Sequence, residues 1–303
     1  MPSVVMVSTT LGTEGGNAEG TGIVLTSSGE ILTNHHVVQD ATSIQVTVLG
    51  NGQTYNATVV GYDATADVAV IQLTKASGLT AANIGDSSTV ATGDVVTAIG
   101  NALGAGTPSV TSGTVVALDQ SITATDAGGA NPEQLNGLIQ TNTPLQEGDS
   151  GGPLIDQQGH IIGMNTAIDA TLSRRRQTTG STESYAIPIN TAIGIAKQIE
   201  SGQQSGDVHI GGSGYLGVSM VPDLTSLSPA TVAQVEPGSP AESAGMVAGD
   251  TITSIDGHNV DSASTLLSLM ANYKPGDRVQ VSWTDQQGAT HHATVTLEAG
   301  PIR

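Results

Sequence analysis

Ser150 lies in the glycine-rich segment 148–154, which reads Gly-Asp-Ser-Gly-Gly-Pro-Leu. Small residues let the backbone turn tightly there, which exposes the hydroxyl of Ser150 and aims the N–H groups of Gly148 and Ser150 at one point. Such donors stabilise the oxyanion of a tetrahedral intermediate, and the turn Gly148, Asp149 and Ser150 is the candidate oxyanion hole. Ser150 is therefore a candidate nucleophile.

A serine hydroxyl is a weak nucleophile until a neighbouring base accepts its proton and a third group orients that base. Two upstream segments supply suitable residue types. Residues 33–38 read Thr-Asn-His-His-Val-Val and are predicted to end an apolar strand, whereas Asp67 opens the apolar strand 67–71. The chain thus presents histidine, aspartate and serine in that order.

Two other interpretations of these residues were weighed. His35 and His36 could bind a metal, but neighbours on a strand point to opposite faces, the chain has no cysteine, and no His-x-x-x-His spacing occurs. Neither a metal nor a cofactor is expected. A glycine-rich turn at Ser150 and a carboxylate at a strand edge at Asp67 are ordinary features of β proteins, and only their combination favours catalysis.

The chain resembles the HtrA group of bacterial serine proteases with a chymotrypsin fold. Five segments carry the resemblance in the family's order, namely 33–38, 67–71, 148–154, Gly-Met-Asn-Thr-Ala at 163–167 and Tyr-Ala-Ile-Pro at 185–188. The resemblance implies that His36, which directly precedes Val37, is the general base, that Asp67 orients it and that Ser150 is the nucleophile. His35 is then a packed or half-exposed residue.

The same resemblance implies a primary specificity pocket. Its base falls at Pro144 and Leu145, and its rim at Thr166, Ala167 and Ile168. No acidic residue lies at the base, so a preference for Lys or Arg is not expected. The branched side chain of Ile168 should shorten the pocket and favour small aliphatic side chains, a preference of about 1–3 kcal/mol.

Asp149 departs from many HtrA relatives, which have Asn at this position. Digestive trypsin-like enzymes do have Asp there, and it pairs with a newly freed N-terminus, but no Ile-Val-Gly-Gly start exists here. A buried carboxylate without a partner is costly, so Asp149 requires another one. Residues 174–176, three consecutive arginines, are candidates, and a solvated loop or a processing site is the simpler interpretation of them.

Composition favours a mainly β protein, because 39 glycines, no Phe and apolar residues that are chiefly Val, Ile, Leu and Ala suit short strands and tight turns. Together with the resemblance, it predicts a chymotrypsin-like double β-barrel over 1–200, with barrels at about 1–105 and 106–200. Hairpins are predicted around 27–29 and 50–52.

The net charge of −19, with only eight Lys and Arg, argues against nucleic-acid partners and anionic membrane surfaces. The start lacks a basic region before an apolar core, so no signal peptide or membrane segment is expected in this chain. The protein is therefore expected either to be cytoplasmic or to have lost a leader, and the prediction is a secreted or cell-envelope protein whose leader has been removed.

Residues 201–214 have the composition of a flexible linker, and residues 215–303 resemble a PDZ domain. A dinucleotide-binding motif at 212–217 is disfavoured because no strand precedes it and a strand-like segment follows. The predicted peptide site consists of a carboxylate-binding loop and apolar residues of a helix at 264–273. Its members are Tyr215, Leu216, Gly217 and Val218 in the loop, and Leu266, Leu267 and Met270 as pocket or core residues.

The sequence therefore predicts a serine endopeptidase that cleaves unfolded or misfolded proteins through an acyl-enzyme, while its PDZ domain captures C-terminal peptides. The alternative is a resting or inactive chaperone that binds peptides without turnover. The resemblance also implies a homotrimer, although no Phe is available for the N-terminal aromatic contacts that hold such trimers.

Overall fold

The structure is a computed structural model, and it describes residues 2–11, 16–124, 133–166, 183–205, 207–212, 214–221, 229–270 and 272–300. The chain forms two compact units, Met1–Ile210 and Gly211–Arg303. The described chain contains far more β-strand than helix, which confirms the predicted mainly β fold class. No helix among the described residues is both long enough and apolar enough to cross a bilayer.

Six antiparallel strands form the first barrel: β1 Val4–Leu11, β2 Asn17–Val24, β3 Glu30–Thr33, β4 Ala41–Val48, β5 Thr54–Asp63 and β6 Val68–Leu73. The sheet runs β5-β4-β1-β2-β3-β6 and closes through pairing of β5 with β6. Both predicted hairpins are confirmed, since β2 pairs with β3 and β4 pairs with β5.

The second barrel is closed in the order β10-β11-β12-β9-β8-β7. Its strands are β7 Val95–Gly100, β8 Ser109–Ala124, β9 Glu133–Thr141, β10 Pro153–Ile155, β11 Ile161–Thr166 and β12 Ser184–Pro188. The predicted division at about residue 105 is wrong, because β7 pairs with β8 and β10. An isolated strand pattern cannot reveal which barrel completes its hydrogen bonds.

A helix of twelve residues, Ile189–Glu200, follows the second barrel. Its buried residues Ile189, Ala192, Ala196 and Ile199 recur at helical spacing and join a core cluster that includes residues of both barrels.

The segment predicted to be a linker contains a further strand, β13 Val208–Ile210, which pairs with β5. Gly61 of β5 allows this approach, because a Cβ there would lie 2.5 Å from the carbonyl oxygen of His209. The prediction of a flexible linker over 201–214 is therefore wrong for 208–210.

The described residues of the second unit form eight strands and two helices. The strands are β14 Gly214–Tyr215, β15 Val218–Met220, β16 Val232–Val235, β17 Thr251–Ile255, β18 His258–Asn259, β19 Arg278–Thr284, β20 Thr290–Thr296 and β21 Glu298–Ala299, and the helices are Pro240–Ala244 and Ala263–Met270. Alternate residues of β19, Val279, Val281 and Trp283, are buried in its core, as expected for a strand with one buried face. This unit thus has a hydrophobic core of its own.

Candidate active site

His36 lies in a single helical turn, α1 (His35–Val38). This turn begins directly after Asn34, which is the first residue after β3. Its Nδ1 is 2.9 Å from Oδ1 and 3.0 Å from Oδ2 of Asp67, and its backbone N–H donates to Oδ1 at 3.1 Å. The His36 side chain is 28% exposed, whereas that of Asp67 is fully buried. The buried carboxylate thus anchors the Nδ1 side of the imidazole.

His35 is buried and stacks on the ring of Tyr62, with ring centroids 4.7 Å apart. The predicted strand at this point is wrong, because both histidines are helical and neighbouring positions on a helix diverge by about 100°. The two side chains still face different surroundings, and His36 is the one that contacts Asp67. Among the described residues, no cluster of three or more His, Asp or Glu side chains could hold a metal.

Asp67 directly precedes β6 and has a left-handed backbone, with φ of 54°. Asn34 Nδ2 donates to its carbonyl at 2.9 Å, which ties the start of β6 to the end of β3. The hydroxyl of Thr166 donates to Oδ2 at 3.2 Å. Because a carboxylate only accepts, its contact with His36 requires the imidazole proton on Nδ1 and leaves Nε2 as the basic nitrogen.

Thr166 was predicted at the rim of the specificity pocket, but its buried side chain is hydrogen-bonded to Asp67. Thr166 ends β11 and comes from the second barrel, whereas Asp67 belongs to the first. This contact joins the two barrels at the carboxylate. The sequence motif at 163–167 already contained Thr166. Nothing in the neighbouring sequence, however, indicated that its hydroxyl would donate to Asp67.

The segment with Ser150 is tied to the first barrel through its backbone. The N–H of Thr21, in β2, donates to the carbonyl of Ser150 at 2.8 Å, and the hydroxyl of Thr33 donates to the carbonyl of Thr21 at 2.7 Å. A Cβ on Gly151, whose φ is 82°, would meet both Thr21 and Thr33. Only glycine allows the nucleophile segment to approach the strand that leads to His36 this closely.

Asn165 holds the same segment from the second barrel. Its carbonyl accepts from the N–H of Gly151 at 2.9 Å, and its N–H donates to Gly152 at 2.8 Å. Its side-chain amide donates to the carbonyl of Pro153 at 3.2 Å. The sequence motif at 163–167 contained this residue, but the motif alone did not reveal its support of the nucleophile turn.

Two carbonyl groups of the predicted oxyanion turn are held by backbone hydrogen bonds. The carbonyl of Glu147 accepts from the N–H of Leu103 at 2.6 Å, and that of Asp149 accepts from Gly152 at 3.1 Å. In a trans peptide the N–H points opposite to the C=O, so the N–H groups of Gly148 and Ser150 point away from these donors.

The predicted contribution of Asp149 to the oxyanion hole is wrong, because its N–H donates to the carbonyl of Gln146 at 3.0 Å. Its buried side chain accepts from the hydroxyl of Ser109 at 2.6 Å and from the N–H of Gln146 at 2.9 Å. The three arginines considered as partners, residues 174–176, lie outside the described residues. Gly100 packs directly on Asp149, since a Cβ there would lie 2.6 Å from its Cα.

Leu145 was predicted at the base of the pocket, but it is buried in the core of the second barrel with Ile139 and Leu154. Its side chain therefore stabilises the barrel. Pro144 is exposed. Ala167 and Ile168, the remaining rim residues, lie outside the described residues.

A groove in the second unit brings the predicted peptide-binding residues together. It is lined by Gly214, Tyr215, Leu216, Gly217, Val218, Met220, Leu266, Leu267 and Met270. Leu266 and Met270 are buried in the core beneath it, whereas Leu267 is 43% exposed. The helix that carries them is Ala263–Met270 in the described residues. A helix was predicted over 264–273, so its location was correct but its predicted C-terminal end lies too far along the chain.

The loop at one end of this groove, residues 215–218, is also held by backbone hydrogen bonds to its carbonyl groups. The carbonyls of Leu216 and Gly217 accept from the N–H groups of Ala241 and Glu236, both at 2.9 Å. The N–H groups of Gly217 and Val218 consequently point away from these donors. Backbone N–H groups in a loop of this kind are suited to holding a carboxylate.

Comparison with known proteins agrees with this geometry. Residues 20–164 match the family model of the trypsin-like peptidase domain, and residues 214–297 match that of the PDZ domain. Serine protease PepD of Mycobacterium tuberculosis is 35% identical over 310 residues, which cover 98% of this chain and 64% of that protein. The periplasmic pH-dependent serine endoprotease DegQ of Escherichia coli is 35% identical over 286 residues, which cover 92% of this chain and 59% of that protein.

Solved structures give the same result. The HtrA-type protease AlgW with a tripeptide superimposes with a TM-score of 0.56 at 28% identity, covering 100% of this chain and 95% of that one. A serine endoprotease from Yersinia pestis gives a TM-score of 0.53 at 27% identity, covering 98% and 94%. The chain spans 64% and 59% of the length of the two curated relatives named above. With its two barrels, its PDZ unit and these relatives, the chain belongs to the HtrA-type trypsin-like serine proteases.

Proposed function

We propose that this protein is a serine endopeptidase in which Ser150 is the nucleophile, His36 the general base and Asp67 its orienting carboxylate. The observation that carries the proposal is the contact of His36 Nδ1 with both carboxylate oxygens of buried Asp67. That contact fixes the ring and its tautomer, so Nε2 is available for the serine proton.

In the proposed reaction, Nε2 of His36 takes the hydroxyl proton of Ser150 while Oγ attacks the substrate carbonyl carbon. The negative charge that develops on the carbonyl oxygen is stabilised by hydrogen bonds that the N–H groups of Gly148 and Ser150 donate. The intermediate collapses as the imidazolium gives its proton to the leaving amine, which leaves an acyl-enzyme. Water, activated by the same imidazole, then hydrolyses the ester and restores the serine.

Labelling with a fluorophosphonate tests the arrangement, because only an organised site phosphonylates its serine quickly. We expect rapid labelling that peptide mapping places on Ser150, with none in the Ser150→Ala variant. Labelling of Ser109, a nearby serine whose hydroxyl donates to Asp149, would contradict the assignment of the nucleophile. Absence of all labelling would instead favour the alternative function, a resting or inactive peptide-binding chaperone.

The second unit is proposed to be the peptide-capturing domain. Strand β15 pairs with β16 on one side, and no other described strand pairs with it, so a peptide can add to its remaining edge. The loop 215–218 would accept the terminal carboxylate, and the apolar groove beside Leu267 would accept the last side chain.

The substrates are proposed to be unfolded or misfolded proteins, because an endopeptidase needs an extended segment to reach a cleft between barrels. Two relatives are named as periplasmic endoproteases, which supports a cell-envelope or secreted location as a proposal. A homotrimer is likewise proposed from the family. Proteolysis of reduced, unfolded casein compared with a stable folded protein, together with light scattering for mass, tests these points.

A further inference from the structure

Thr21 lies in β2 of the first barrel and is fully buried, but its hydroxyl makes both of its hydrogen bonds to loops of the second barrel. Oγ1 donates to the carbonyl of Gly148 at 2.7 Å and accepts from the N–H of Asn101 at 2.9 Å. The donor and acceptor capacities of this hydroxyl are thus both directed to the surroundings of the oxyanion turn.

Thr21 and the loop that starts at Asn101 together hold the two peptide groups on either side of Gly148. Gly148 has φ of 91° and no Cβ, so its backbone has the conformational freedom to let the neighbouring peptides rotate. The peptide before it is held by Leu103, whose N–H donates to the carbonyl of Glu147. The carbonyl of the peptide after it accepts from the Thr21 hydroxyl at 2.7 Å and, at the longer distance of 3.3 Å, from the N–H of Asn101. Asn101 begins the loop that contains Leu103, and this loop is itself anchored to the Thr21 hydroxyl.

We infer that Thr21 is a positioning residue for the oxyanion hole, acting through Gly148 and through the loop that starts at Asn101. It does not touch substrate in this role. Its hydroxyl keeps the N–H of Gly148 aimed at the place where the oxyanion forms. The inference rests on the proposed function, since it assigns a role within the same site.

The test is Thr21→Val, which keeps the shape of the side chain and removes its hydroxyl, beside Thr21→Ser, which keeps the hydroxyl. Loss of one oxyanion-hole donor lowers kcat about 10²–10³-fold in serine proteases. A donor that is only misaligned should cost less, so we expect kcat of Thr21→Val on a small peptide substrate to fall about 10–100-fold with KM little changed. Thr21→Ser should recover most of kcat.

The inhibition constant of a peptide aldehyde provides a second measurement. It would not change if Thr21 had a purely structural role. The hemiacetal oxygen of the aldehyde occupies the oxyanion hole, so its inhibition constant should rise in parallel with the loss of kcat, while KM for the matching substrate stays level. Thr47→Val is the control, because Thr47 is a half-buried threonine of β4 in the first barrel whose hydroxyl lies 2.8 Å from that of Thr54 in β5. It should leave kcat and the inhibition constant unchanged.

Unchanged kcat and aldehyde affinity in Thr21→Val would overturn the inference. So would losses of activity that track melting temperature equally in the Thr21→Val and Thr47→Val variants. If Thr21→Val does not fold, Thr21→Ala, which adds no bulk, is measured in its place. An inactive wild-type protein would instead refute the proposed function itself, which keeps the two failures distinct.

Discussion

The contact between Ser109 and Asp149 is expected to keep the nucleophile turn ordered without an N-terminal ammonium group. Asp149 is buried next to Ser150, and one carboxylate oxygen accepts from Ser109 while the other accepts from the N–H of Gln146. Ser109→Ala removes the first donor and leaves the carboxylate with less compensation for its burial. The turn should then sample arrangements in which Asp149 reaches water.

The size of the effect follows from the kind of bond. A hydrogen bond to a charged group contributes about 1.5–3 kcal/mol, and 1.4 kcal/mol corresponds to a factor of ten in an equilibrium. The equilibrium between ordered and disordered turns should therefore shift about 10-fold to 150-fold. The ordered turn is the more stable state in the unsubstituted protein, so the fraction of ordered molecules falls by less than the equilibrium constant does. We therefore expect kcat/KM to fall about tenfold.

The assay is kcat/KM on a small fluorogenic peptide, together with the rate of fluorophosphonate labelling of Ser150. Both should fall by the same factor in Ser109→Ala, because both require the ordered turn. Ser112→Ala is the control, since Ser112 lies in the same strand but is exposed and bonds only at the surface, to Thr97 at 3.0 Å. Thermal melting of each variant separates loss of the turn from loss of the fold.

A double-mutant cycle sharpens the test. Asp149→Asn keeps the volume but places an amide against two donors, so it should lower activity alone. In the double variant with Ser109→Ala, the loss should be smaller than the sum of the single losses if the two residues act through one bond. Full activity in Ser109→Ala, or strict additivity in the double variant, would refute the reasoning that this contact orders the turn.

His36→Ala should abolish proteolysis, whereas His35→Ala should lower the melting temperature and keep most activity; a reversal of these results would contradict the assignment of the base. Thr166→Val should lower kcat by about tenfold, because it removes a buried hydrogen bond to the Asp67 carboxylate, and a changed side-chain preference with unchanged kcat would restore its role in the pocket. Residues 211–303 alone should bind a peptide acid with a Kd of about 10⁻⁶ M, and the C-terminal amide much more weakly, by calorimetry; equal binding would exclude the carboxylate loop. Burial and a hydrogen bond to Asp256 raise the pKa of Tyr273 to about 12, above its ordinary value of 10.0. Its contribution to the stability of the second unit is therefore complete below pH 10 and lost as the pH rises towards 12, and Tyr273→Phe should flatten that decline in urea titrations.

The sequence alone determined the features whose cause is local. The hairpins at 27–29 and 50–52 follow from turn residues between alternating strands, and both are present. Composition predicted the mainly β fold, whereas the PDZ unit was predicted from its resemblance to a known family. The glycines around Ser150 also predicted a tight turn. The structure shows why glycine is needed there, because a side chain at Gly151 would collide with the neighbouring strands.

Tertiary structure decided the features that depend on residues far apart in the chain. Thr166 reaches Asp67 across 99 positions, Ser109 reaches Asp149 across 40, and Thr21 reaches Gly148 across 127. Each is a short polar side chain whose type fits a turn or a strand equally well, so its identity does not reveal its partner. The closure of the two barrels brings these partners within hydrogen-bond distance, because a buried donor or acceptor must find a partner once water is excluded.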